Sequence, residues 1–293
     1  MIWLSIQPAT WNLLADVREI LSYDFMRSAF LAGTATALAA GLVGYFVVLR
    51  NQVFTSDALG HVAFSGGLGG LILGVPLLAG VYVATVAVAL GMGSGADRGR
   101  GRDVSIGIVF VWVLGLGVLF LSLYTAGHSA GNGTLGVAVL FGSILGLQEP
   151  QAYLAAAAGA IISVLLLLVW RPLLFTSLDP DVAAARGVPI GPVSTIFAVL
   201  LALTVAESVQ AVGALLIFAL LVTPAAVAQR LTNRPSVSMA LSAILAVGFT
   251  WAGLVMAFYT PWPASSYITG VAFSGLLAVR LLQRAGGPGR SSC

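Results

Sequence analysis

The chain has 293 residues, of which 59% are hydrophobic and 8% charged. Soluble domains carry about 25% charged residues, so this composition, with a mean hydropathy of +1.03, cannot dress a water-facing surface. A cytosolic enzyme, a nucleic-acid binder and a secreted scaffold are excluded, and an all-α, polytopic membrane protein is expected. The net charge of +3 comes from thirteen basic residues, all arginine. In a bilayer protein such arginines carry orientation, because they gather in cytoplasmic loops. The single cysteine, Cys293, makes no intrachain disulfide and no thiolate metal site. The 35 glycines suit helices that pack closely inside a membrane.

Residues 1–24 mix Trp3 and Trp11 with Asp16, Arg18, Glu19 and Asp24. They lack the apolar core and cleavage site of a signal peptide, and an interfacial amphipathic segment is expected there. A spanning helix needs about 20 apolar residues. The long uncharged runs, extended at their edges, predict helices over 27–49, 51–73, 76–93, 104–124, 150–170, 188–206, 209–229, 236–258 and 262–283. Segment 136–147, GVAVLFGSILGL, is too short to cross alone and reads as a re-entrant or half-span element. This gives about 8–9 transmembrane helices in one domain over 25–284, with a disordered tail over 285–293.

Arginine placement tests that map. If 136–147 does not cross, Arg50, Arg98, Arg100, Arg102, Arg171, Arg186, Arg230, Arg234, Arg280, Arg284 and Arg290 fall on one side. Only Arg18 and Arg27 fall on the other. The majority side is then cytoplasmic, with the N-terminus outside and the C-terminus inside. If the segment crosses, the sorting fails.

An ionisable group within hydrocarbon is a functional candidate, because its burial is costly unless it is paired. Asp57 and His61 are four residues apart on the second span, so they share a helix face, one turn apart. Ser65 continues that face. A carboxylate with an imidazole suits Mn²⁺, Fe²⁺ or Zn²⁺ in passage. A plainer account has Asp57 capping the helix start and His61 bonding a neighbouring carbonyl. Gly66, Gly70 and Gly74 form a small-residue stripe roughly opposite Asp57, where another helix can approach. His128 reads as a solvated loop residue, and Glu207 as the solvated outer end of the sixth span.

The longest polar interruption is 171–189, RPLLFTSLDPDVAAARGVP. Asp179, Pro180 and Asp181 open a short helix, with acids favoured at its N-terminal end. The helix runs through Ala183 to Arg186, and Gly187 with Pro189 stops it. Such a capped helix in a cytoplasmic loop reads as a docking element. There is no GxxxxGK[ST] phosphate loop, no HExxH and no GxSxG.

Taken together, YDFMRSAFLAG (23–33), GLVGYFVVLR (41–50), SDALGHVAFSG (56–66), IGIVF (106–110), LFGSIL (140–145), DPDVAAARGVP (179–189) and VGALLIFALLVTPAAVAQRL (212–231) resemble the permease subunit of metal-type ABC importers, the ABC-3 family of zinc and manganese uptake systems. The chain departs from the family pattern at Gly60, where Ser is common, at Asn51, and at Glu207. The resemblance implies a homodimeric permease in the bacterial cytoplasmic membrane. It implies a cytoplasmic ATP-binding subunit below and an external metal-binding protein above. By position, Asp57 and His61 match the translocation-route metal contacts. Thr223 and Pro224 fall in the family's proline-containing helix, and with Ser65, which continues the Asp57 face, they are the candidate lining of that route. Asp179, Asp181, Ala183, Arg186 and Gly187 match the helix that meets the ATPase. The implied cargo is a divalent metal ion, manganese, zinc or iron, with no permanently bound cofactor and no nucleic-acid partner.

The expected function is therefore that of a non-enzymatic permease subunit working by alternating access. A permease for a metal chelate such as haem, cobalamin or a siderophore is the alternative within ABC transport. An ATP-independent secondary metal transporter is a different class. An intramembrane enzyme finds no nucleophile or complete metal triad beside the Asp–His pair.

Overall fold

Helix α1 (Asp24–Leu49) stands at the centre of the bundle, mostly buried along its length. Its sequence is apolar all round, as a helix enclosed by others must be, and its small residues let neighbours approach. Gly41 lies against the backbone of Ser242 and Ala243, Gly44 against the Leu221 carbonyl, and Ala35 against Gly159. The structure, a computed structural model, describes residues 19–94, 100–127, 142, 144–214, 217–260 and 262–285. Segment 1–18, the loop bearing Asp97 and Arg98, His128, most of 136–147 and the tail from 286 lie outside the described residues.

The other elements are α2 (Val53–Ile72), α3 (Leu77–Ser94), α4 (Arg100–Gly127), a 3-10 turn (Ile144–Gly146), α5 (Glu149–Leu178), α6 (Pro180–Ala185), α7 (Ile190–Val212), α8 (Ile217–Leu231), α9 (Pro235–Tyr259) and α10 (Ala264–Ala285). Among the described residues six helices are long and apolar enough to cross a membrane, and the chain is a multi-pass membrane protein. Helices α5, α7, α8 and α9 surround α1. Helices α2, α3 and α4 form a second group, joined to the first through α7.

Packing registers give the direction of each helix. Ala32 of α1 clusters with Ala152 and Ala155 of α5 while Ala35 meets Gly159, so these two run parallel. Gly41 meets Ala243 while Gly33 meets Thr250, so α9 runs antiparallel to α1. Phe54 meets Phe110 while Gly69 meets Phe120, so α4 runs parallel to α2. At one end of the bundle Arg50 donates to Ser194 and Gln283 donates to the Arg230 carbonyl. Arg27 sits at the other end, bonded to the Leu21 carbonyl and 3.8 Å from Asp24. The chain therefore leaves α4 and enters α5 at the same, Arg27 end. That placement of the two helix ends is the condition under which the arginines sort.

Three boundaries differ from expectation. Helix α5 continues eight residues past Trp170, through Arg171 and Pro172, so the polar loop begins only at Asp179. Helix α7 runs to Val212 rather than ending near Glu207. It stops at Gly213, whose φ of +89° is a region that favours glycine. Helix α8 then has only 15 residues, about 22 Å at ~1.5 Å per residue, short of the about 30 Å of a full span. It starts inside the bundle, since Ile217 lies beside Gly60 in α2.

Candidate functional site

The turn between α1 and α2 fixes where the metal-type pair sits. Asn51 takes φ +53°, which asparagine tolerates better than most residues, and buried Gln52 precedes the first turn of α2. Asp57 lies more than a turn inside that helix, so it does not cap it. His61, one turn on, presents its ring edge-on to Phe110 of α4, with centroids 5.0 Å apart and planes at 86°. Phe110 also meets Phe54, at 5.7 Å. Neither Asp57 nor His61 has a hydrogen-bond partner among the described residues, and both are half-buried. The structure thus leaves an acid and an imidazole open on one face, bordered by Phe54 and Phe110.

The opposite face of α2 is closed. Gly66 and Gly70 touch Gly80 of α3, and Gly66 also touches Ala84. At about 100° per residue these glycines lie about 180° around the helix from Asp57. Gly74 falls outside this stripe: it forms the α2–α3 turn with φ +75° and no neighbour within 4 Å. Ser65 is buried, and its hydroxyl donates to the Val113 carbonyl of α4 at 2.8 Å. It joins α2 to α4, and that bond occupies the group expected to line the route. A β-carbon on Gly117 would collide with the same Ser65 Oγ, which shows how close the two helices are.

On the flank beside Asp57, Gly60 faces the break between α7 and α8. A β-carbon there would sit 3.1 Å from the Ala214 carbonyl oxygen and 3.3 Å from Ile217 Cγ2. No local pattern in the sequence points to this contact. Thr223 is half-buried and Pro224 buried in α8. Pro224 has no N–H to give the preceding turn. The described residues contain no cluster of three or more His, Cys, Asp or Glu able to enclose an ion.

At the arginine-rich end, α6 is built as its sequence dictates. Asp179 accepts a bond from the Val182 N–H at 3.0 Å and Pro180 occupies the first position. Gly187, at φ +80°, closes the helix: its N–H reaches the Ala184 carbonyl, and the Val188 N–H reaches that of Ala183. Ala183 is buried, Arg186 lies over the Phe175 ring at 6.0 Å, and the rest of α6 is exposed.

Glu207 overturns its expected place. It is 2% exposed, and one carboxyl oxygen accepts a bond from the Tyr82 phenol of α3. A charged residue between two apolar runs looks like a helix end; here it lies inside one helix, and its partner is 125 residues distant.

Comparison with known proteins agrees with this architecture. The chain is 29% identical over 248 residues to the manganese transport system membrane protein MntC of Halalkalibacterium halodurans, covering 83% of this chain and 82% of that protein. It is 29% identical over 258 residues to the high-affinity zinc uptake system membrane protein ZnuB of Haemophilus influenzae, covering 88% and 97%. It superposes on PsaBC of Streptococcus pneumoniae, solved in complex with a Fab, with a TM-score of 0.79 and 28% identity over 91% of this chain and 95% of that one. The profile of the ABC 3 transport family matches residues 22–283, and the chain belongs to that family.

Proposed function

We propose that this chain is the permease subunit of an ABC importer that carries a divalent transition-metal ion, manganese, zinc or iron. The observation that carries the reading is the unpartnered Asp57–His61 pair, stacked one turn apart on an open helix face between Phe54 and Phe110. Turned toward lipid, such a pair would be costly. A second copy of the chain laid over that face would convert it into a polar corridor with a pair from each copy. The named roles of MntC and ZnuB support the choice of cargo class.

The chain's own residues have distinct tasks in this scheme. Asp57 supplies charge to a dehydrating cation, and His61 a nitrogen ligand. The short helix α8 begins beside them, a broken-helix arrangement that transporters use where backbone lines a passage. Helix α6, capped at both ends and exposed at the cytoplasmic side, receives the ATP-binding subunit. An external metal-binding protein delivers the ion at the Arg27 end. ATP binding and hydrolysis in the partner drive the alternation.

Uptake of radiolabelled Mn²⁺ and Zn²⁺ by cells expressing the full transporter tests this. Asp57→Ala and His61→Ala are each expected to abolish uptake while insertion and assembly persist. Normal uptake in both variants would refute the assigned site. Metal flux in proteoliposomes holding this chain without an ATPase would refute the coupling.

A further inference from the structure

The bundle buries one acid that the translocation scheme does not use. Glu207 of α7 accepts the Tyr82 phenol through Oε2, while Oε1 meets no hydrogen-bond donor. Two nearby hydroxyls are spent on their own helices: Thr204 donates to the Leu200 carbonyl, and Thr85 to those of Val81 and Tyr82. The buried hydroxyl of Ser208, next in sequence, makes no bond to Oε1. Arg50 is bound to Ser194 at the far end of α7. His61 lies on the side of α2 turned away from α3. The ionisable group set against Glu207 is Tyr82.

An ionised carboxylate here would keep a full charge away from solvent with one oxygen unmet, a far greater cost than one unmet O–H. The two helices that share this bond also lead to α2. Helix α3 packs on the face away from the metal-type pair, through Gly80 against Gly66 and Gly70. Just past the end of α7, seven residues beyond Glu207, the Ala214 carbonyl lies against Gly60, between Asp57 and His61. We propose that Glu207 holds a proton and forms with Tyr82 an uncharged clasp between α3 and α7, making both of them positioning residues for Asp57 and His61. Their positioning role rests on the transport reading above; the uncharged clasp does not.

Infrared spectroscopy of the purified full chain in lipid nanodiscs tests the clasp without any metal. The wild-type minus E207Q difference spectrum should show the C=O stretch of a protonated carboxyl. E207Q, which keeps an uncharged acceptor, should retain the thermal unfolding midpoint and the metal uptake of the wild type. E207A and Y82F should each lower both, and the Y82F/E207A pair should fall no further than E207A alone. Where E207A fails to insert, Y82F decides, since it removes a single hydroxyl. Carboxylate bands in place of the protonated stretch would overturn the proposal. So would E207Q failing as E207A does, which would make Glu207 a cation ligand, or strictly additive losses in the pair. Loss of the transport reading, through active Asp57→Ala and His61→Ala variants, would leave the infrared and unfolding results standing.

Discussion

Ala214 lays its carbonyl oxygen against Gly60, 3.1 Å from where a β-carbon on that glycine would stand. The contact ties the break between α7 and α8 to the turn of α2 that holds Asp57 and His61. Any movement of α8 is therefore felt at the pair.

Gly60→Ala demands that the carbonyl give by a few tenths of an ångström. The variant is expected to insert and fold, with metal uptake reduced because the break is displaced. Gly60→Val also drives into Ile217 and should cost about 1–3 kcal/mol of stability, the usual range for overpacking. Uptake assays beside thermal unfolding in detergent separate the two effects. Full uptake in Gly60→Ala would remove the break from the pathway.

Gly44 offers a sharper steric test. An added β-carbon would overlap the Leu221 carbonyl of α8, and backbone cannot swing aside as a flexible side chain can. Gly44→Ala should therefore cost at least as much as ordinary overpacking, about 1–3 kcal/mol. The expected outcome is a lowered unfolding midpoint and faster proteolysis. Gly248 serves as the control: a β-carbon added there would meet nothing within 4 Å, so Gly248→Ala should leave both unchanged.

Ser65 separates lining from packing. Its bond to Val113 is a buried link between α2 and α4, and losing one such bond costs about 1 kcal/mol. Ser65→Ala should lower stability by roughly that amount while keeping the metal dependence of uptake. A changed metal concentration dependence, with stability unaltered, would return Ser65 to the ion's route.

What the sequence disclosed was local. The i, i+4 spacing of Asp57 and His61, the caps of α6 and the apolar runs all depend on residues a few positions apart, so the helices and the shared face of the half-buried pair were legible. Glu207 was not, because its place is decided by Tyr82 on another helix. The shortness of α8 was hidden for a related reason: Ile217 starts that helix beside Gly60, a contact between distant parts of the chain. The bound at residue 170 erred in the opposite direction. The polar run from Arg171 reads as loop, yet α5 carries on through Pro172 to Leu178, with Leu173 and Thr176 buried in the bundle. Packing there overrides a local preference.

Helix α6 yields the last prediction, because its stability is almost wholly in its caps. Only Ala183 is buried, so six residues have little packing to hold them. Asp179→Ala removes the bond to the Val182 N–H, and loss of such a cap costs about 0.5–2 kcal/mol. Gly187→Ala forces an L side chain to φ +80°, costing about 1–2 kcal/mol. Each is large against the stability of a helix this short, yet neither touches α1 or the Asp57 face. Both variants should insert normally and keep the global unfolding midpoint, while binding the ATP-binding subunit more weakly and transporting more slowly. Pull-down of that subunit at graded concentrations reads the first effect, and uptake the second. Unchanged association in both variants would mean that the partner docks elsewhere on the cytoplasmic face.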